Sequence, residues 1–120
     1  MRTFETGATR DDDDAKLDFE GFLSPTVLVR YGEYRHQHRI QADGGLRDSD
    51  NWQHGIPQNE YMRSLLRHVI DLWLIHRGQP ARDTLENTLC AIMFNAMGYL
   101  HERLNQKSAV SEEGPKVWRS

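Results

Sequence analysis

The sequence predicts an all-α chain of three main helices plus an N-terminal strap, its helical bundle completed by oligomerisation. Three observations carry this. Apolar residues recur at the helical period in three long segments, each bracketed by start and stop signals. No stretch alternates apolar and polar residues as a half-buried strand does, and no internal repeat is present. "VIDLWLI" (69–75) and "CAIMFNAMGYL" (90–100) are apolar on more than one side. Three helices cannot cover that much apolar surface among themselves, so at least a dimer is expected. The alternative is a monomeric three-helix bundle covered by its own strap.

Residues 1–16 read as a mobile acidic tail, with a charge run from Asp11 to Asp14. A single domain is expected over 17–105, followed by a polar, mobile tail over 106–120 with a lone Trp118. The strap "LDFEGFLSP" (17–25) carries Leu17, Phe19, Phe22 and Leu23, and four such side chains are expected to dock on the core. Ser24 and Pro25 open the first helix, Ser as N-cap and Pro at the first helical position. Val27, Leu28, Tyr31 and Tyr34 share one side of it; Arg30, Glu33 and Gln37 lie on another. Asp43-Gly44-Gly45 is expected to end it.

A loop over 43–56 follows, long enough in a small domain to suggest function. The second helix is expected from Pro57 to Arg77 and is stopped by Gly78 and Pro80. The third opens at "DTLE" (83–86), where Asp83 and Glu86 resemble a capping box. It continues to about Asn105, with Leu85, Leu89, Ile92, Met93, Ala96, Leu100 and Leu104 as the expected core stripe.

Composition excludes several classes. With 28% charged residues and a net charge of −3, no basic face is offered to a nucleic-acid polymer. The single Cys90 excludes an internal disulfide framework, favours a reducing compartment and reads as a small core residue. "MRTFETGATRDDDD" has no apolar stretch of a signal peptide, and no apolar run reaches the ~18 residues of a membrane span. A soluble cytoplasmic protein without membrane partners is expected.

Several polar groups ride inward. Ser64, Arg67, His68 and Asp71 line one stripe of the second helix. An acid inside an apolar run must be paired or bound to a cation. Asp71 is therefore either the partner of Arg67 in a structural ion pair flanked by His68, or a metal ligand or base beside an Arg67 phosphate clamp. Thr84, Thr88, Ala91, Asn95, Gly98 and Glu102 form a small and polar stripe on the third helix. It is either a close helix contact with Asn95 bonded across it, or a ligand-facing stripe. Glu33 is the one carboxylate inside the first helix, and as a solvated residue it needs no special role. His36 and His38 lack the i,i+4 spacing of a helical metal pair.

"NWQHGIP" (51–57), "YMRSLLRH" (61–68) and "LCAIMFNAMGYL" (89–100) resemble the phage and bacterial dATP/dGTP diphosphohydrolase N-terminal family, which is similar to the all-α MazG-like nucleotide pyrophosphohydrolases. Gly7, Ala8, Arg10, Asp11, Lys16 and Pro25 match its opening pattern. Asn51, Trp52, Gly55 and Pro57 match its loop, and Leu65, Leu66, Arg67 and His68 its second helix. Leu89 and Asn95 match its last motif, in which Thr88 and Ala91 stand where the family has two His. The first helix offers Glu33 but no E-x-x-E.

The resemblance implies a nucleotide-pool protein of the host or bacterial cytoplasm. It would cleave a purine deoxynucleoside triphosphate to monophosphate and pyrophosphate as a homodimer or homotetramer. The implied catalytic set is Glu33, His68 and Asp71, with Mg²⁺ or Mn²⁺ between Glu33 and Asp71, and Glu86 or Glu102 of a neighbouring subunit as possible additions. Lys16 and Arg67 would hold phosphates, Trp52 would stack on the base, and Asn51 and Asn95 would complete the substrate contacts. The alternatives are a degenerate protein that binds and sequesters nucleotide, and a structural helical interaction protein.

Overall fold

The structure, a computed structural model, describes residues 2–7, 9–10 and 16–110. The run Asp11 to Asp14, Ala8 and Trp118 lie outside the described residues. Two short strands, β1 (Arg2–Thr3) and β2 (Thr9–Arg10), pair antiparallel across a turn. They add a ladder too short for any alternation to announce. The rest of the described chain is helix and loop: α1 (Phe19–Phe22), α2 (Pro25–Gln37), α3 (Gln58–His76) and α4 (Leu85–Val110). None of these helices is long and apolar enough to cross a membrane.

Local chemistry explains the boundaries. Asp18 caps α1, its carboxylate accepting from the Gly21 N–H at 3.1 Å. Ser24 caps α2, its hydroxyl accepting from the Val27 N–H at 3.3 Å, and Pro25 takes the first helical position. α2 ends at Gln37, six residues before the expected Asp43. A side-chain clasp closes it there: His38 Nδ1 lies 2.9 Å from the Tyr34 carbonyl, and the rings stack at 4.1 Å. The chain then reverses through Gly44 (φ 85°), with Ile40 bridged to Leu46 and Arg39 donating from Nε to the Arg47 carbonyl at 2.8 Å.

The loop carries one 3₁₀ turn, Asn51–His54, ended by Gly55 at φ 118°, where a side chain would be strained. Pro57 caps α3 from an extended conformation, one position earlier than a helical Pro. At the other end Gly78 (φ 74°) closes a Schellman motif. The Gly78 N–H donates to the Ile75 carbonyl at 3.0 Å and the Gln79 N–H to Leu74 at 2.8 Å.

The start of α4 corrects the expected capping box. Thr84 is the cap: its hydroxyl accepts from the Asn87 N–H at 3.2 Å and its carbonyl from the Thr88 N–H at 2.9 Å. Asp83 supports the cap from outside, and Glu86 turns away to Arg30. α4 also runs on to Val110, five residues into the segment expected as a tail.

α3 and α4 form an antiparallel hairpin, and α2 rests on α4 along a shorter strip. The two hairpin helices meet where the Tyr61 ring packs on Gly98, and a Cβ at residue 98 would collide with that ring. Phe94 packs edge-on to Tyr61 at 5.8 Å and to Trp52 at 5.9 Å, and carries the Arg35 guanidinium over its ring at 3.7 Å. Under α2, Tyr34, Cys90 and Ala91 form the buried cluster, so Cys90 is the core residue its isolation suggested.

The burial pattern of α4 bears out the close-contact reading of its small stripe and reverses the expected core stripe. The small stripe is inside: Thr88 is 1% exposed, and Ala91, Asn95 and Gly98 are buried with it. The large apolar stripe of Leu85, Leu89, Met93, Leu100 and Leu104 is outside. Small residues let two backbones approach closely, and the larger side chains are turned to the far side. The apolar side chains of the strap are exposed rather than buried in the core, Phe22 at 71%. The close approach makes Gly98 sensitive. Gly98→Ala should destabilise by about 1–3 kcal/mol through overpacking against Tyr61, measured by urea denaturation. Tyr61→Phe should leave stability unchanged or slightly raised, because the buried Tyr61 hydroxyl has no hydrogen-bond partner to lose.

Candidate functional site

The polar stripe of α3 and the segment after it build one charged cluster. Asp71 is buried, and both of its oxygens accept from Arg82. Arg82 Nη2 donates to Oδ2 at 2.6 Å, and Nε donates at 2.9 Å to Oδ2 and at 3.3 Å to Oδ1. The Schellman turn at Gly78 brings the chain back so that Arg82 can reach. The expected Arg67–Asp71 pair is thereby corrected: the partner comes from the turn after the helix, and Arg67 stays exposed. Hydrogen bonding to Arg82 holds the Asp71 carboxyl below its ordinary value. His68 flanks the pair, with Nδ1 3.9 Å from Asp71. Burial lowers the His68 pKa, Arg82 and Arg67 lower it further, and Asp71 opposes them.

A second cluster lines the groove between α2 and α4, about 670 Å³ in volume. Glu33 from α2 and Glu86 from α4 both border it, over an apolar floor of Leu89, Cys90 and Met93. Arg30 ties the two helices, donating from Nε to Glu86 Oε1 at 2.7 Å and from Nη2 to Asn87 Oδ1 at 2.7 Å. The hydrogen bond to Glu86 raises the Arg30 pKa, and Glu33 adds to the effect through its charge. Two carboxylates and a guanidinium over an apolar floor can receive a ligand with a polar, charged end and a flat apolar one.

The loop reaches α4 along its next turns. Trp52 is half-buried, edge-on to Phe94 and 4.8 Å from His101. Glu102 accepts from the Ile56 N–H at 3.3 Å, so the loop is pinned at both ends of this contact. Asn51 and Lys16 are exposed. Asn95 is buried but donates from Nδ2 to its own helix, at the Ala91 carbonyl 2.8 Å away, so its expected bond across the interface is not made. Thr88 keeps a buried hydroxyl with no partner.

These placements bear on a divalent metal. Asp71 does not fit: both oxygens and the charge are engaged by Arg82, leaving little for Mg²⁺ or Mn²⁺. Glu33 thus lines the groove between α2 and α4 while Asp71 is held on α3 beside the hairpin turn. Glu86 borders the same groove, with its Oε1 engaged by Arg30. Among the described residues no three His, Cys, Asp or Glu side chains gather around one point.

Arg82 and Arg30 escaped the sequence reading. Arg82 lies in a turn where no periodicity marks it. Arg30 shared a helix side with Glu33, three residues away, and that spacing was its one signal. Compared with protein-family models, curated proteins and solved structures, the chain matches none of them.

The buried pair makes a sharp prediction. Arg82→Met should destabilise more than the double variant Asp71→Leu/Arg82→Met, because the single change strands a buried carboxylate. Thermal melts of both proteins test this. The pH dependence follows from the shifts. His68 titrates below 6.5 in the fold, so the unfolded chain takes up its proton first as pH falls. Stability should be full above pH 6.5 and decline below it. The decline should steepen as pH falls through and below 3.8, where Asp71 is protonated first in the unfolded chain. Denaturation midpoints across this range, with His68→Gln flattening the upper part, check the assignment.

Proposed function

We propose that the chain is a nucleotide-pool protein that cleaves a purine deoxynucleoside triphosphate to monophosphate and pyrophosphate. It would act with a divalent metal and as an assembly of two or four copies. The motifs around Asn51–Pro57 and Leu65–His68 suggest this class. The observation that carries the reading is the α2/α4 groove, where Glu33 and Glu86 face one space with Arg30 between the helices. In this reading Glu33 and Glu86 would hold the metal, a revision of the Glu33–Asp71 pair. Such a metal, when bound, neutralises phosphate charge and acidifies water.

The chain's own residues would do the rest. The apolar floor of Leu89 and Met93 excludes water from one side of the substrate. Arg30 offers a planar donor fork to phosphate oxygens once exchanged from Glu86. Arg67 and Lys16 are exposed and free to meet a polyphosphate by charge. Trp52 and Asn51 would shape the loop beside the base. Catalysis is then positioning and charge neutralisation. His68 and Asp71 become supports of the hairpin that carries the site.

One observation favours a second reading. Asp71, a metal ligand in the family resemblance, is occupied by Arg82, which suits a protein that binds and sequesters nucleotide without cutting it.

The expected result is release of pyrophosphate from dGTP or dATP with Mn²⁺ or Mg²⁺. Glu33→Gln should lower turnover by more than the roughly 10–100-fold loss that follows removal of a group that merely hydrogen-bonds a metal ligand. Absence of pyrophosphate with both nucleotides and both metals overturns the hydrolase. Nucleotide-dependent, metal-independent thermal stabilisation in its place supports sequestration.

A further inference from the structure

We propose that the outer face of α3, centred on Trp73, is the surface on which a second copy of this chain docks, the two α3 helices crossing about a two-fold axis.

The face is built for helix-on-helix contact. Met62, Leu66, Val69 and Trp73 follow one another at steps of four, three and four, the spacing of a seam in a helical bundle. All four are exposed in the single chain, Trp73 at 53%. The charged neighbours Arg63 and Arg67 fall off this line, so the seam itself is uninterrupted.

Shape points to a second copy as the occupant. Trp73 stands between two apolar clefts. One, about 450 Å³, is bordered by Ile70, Leu74 and Arg77; the other, about 300 Å³, by Val69, Leu72 and His76. A projecting ring with a receiving cleft on the same patch is self-complementary. That is the requirement of an isologous contact, in which each copy offers the other what it receives. Arg77 lies over the Trp73 ring at 5.1 Å and can remain stacked at the rim while the opposite edge is buried.

Along this face Met62, Leu66, Val69, Ile70 and Trp73 are each 37–55% exposed, a continuous apolar area open to a partner. A stable contact needs about 800 Å² from each partner. Among the described residues the fully buried apolar ones are Tyr34, Tyr61, Cys90 and Ala91, too few for the hairpin to stand alone.

The proposal shares with the functional reading its expectation of more than one subunit, and nothing else. Light scattering on the eluting full chain, without nucleotide, should give at least twice 14.0 kDa. Trp73→Glu and Val69→Glu should return it to 14.0 kDa with helical circular dichroism retained, since neither side chain supports the single-chain fold. A wild-type mass of 14.0 kDa, or an assembly that Trp73→Glu leaves intact, overturns the proposal. Should Trp73→Glu fail to fold, dilution of the wild-type chain decides. Its tryptophan emission should shift to the red as copies separate, and Trp73→Phe should abolish that shift. The same shift in Trp73→Phe overturns the proposal. Pyrophosphate release is scored separately: a monomer that hydrolyses dGTP sinks the docking surface and the expected assembly but leaves the hydrolase standing, and an inert assembly sinks the hydrolase alone.

Discussion

The contact between the Tyr61 ring and the Gly98 backbone sets the rest of the structure. It brings α3 against α4 so closely that a Cβ at 98 would force the Tyr61 ring to shift. Once that contact is made, the small stripe of α4 has to be the inward face, because only Thr88, Ala91 and Asn95 continue the close approach along the helix. The larger side chains are displaced outward by the same geometry. The apolar exterior of the hairpin is therefore a consequence of its tight interior. The polar cost inside is modest: Asn95 satisfies its amide on its own helix, while the Tyr61 and Thr88 hydroxyls are left without partners.

The Asp71–Arg82 pair is the second constraint, and it acts at the turn end of the hairpin. An acid on the buried side of α3 requires a cation, and the turn through Gly78 supplies one from outside the helix. The pair ties the turn to the helix and shapes the surroundings of His68. It also engages both oxygens of Asp71, whereas Glu33 and Glu86 border the separate groove between α2 and α4.

Much of the helical plan was legible. Ser24-Pro25, Pro57 and Gly78 mark their helix ends by local backbone chemistry, and local chemistry does not depend on distant partners. The isolation of Cys90 in an apolar run correctly indicated a core residue. The misreadings share one cause. Asp83 was a plausible cap by spacing, yet Thr84 took the role because Glu86 was drawn to Arg30 on another helix. Arg67 was the nearest cation to Asp71 in sequence, yet Arg82 was nearer in space. Leu17, Phe19, Phe22 and Leu23 were expected against the core, yet the single chain leaves them on its surface. Each depends on a contact between residues far apart in the chain, 56 positions in the case of Arg30 and Glu86.

The sequence by itself determined the all-α class, the start of α2, both ends of α3 and the start of α4 within a residue or two. These follow from periodicity, capping and composition, which act over a few residues. Only the tertiary structure decided which face of α4 is inside, which cation holds Asp71, and which carboxylates share a groove. Amphipathicity ranks faces by hydrophobicity, and it assigned the core to the leucines. Packing ranks them by how closely backbones can approach, and that gave the interior to glycine, alanine and threonine. When the two criteria conflict within one helix, the partner's shape decides, and here the partner is the Tyr61 side chain.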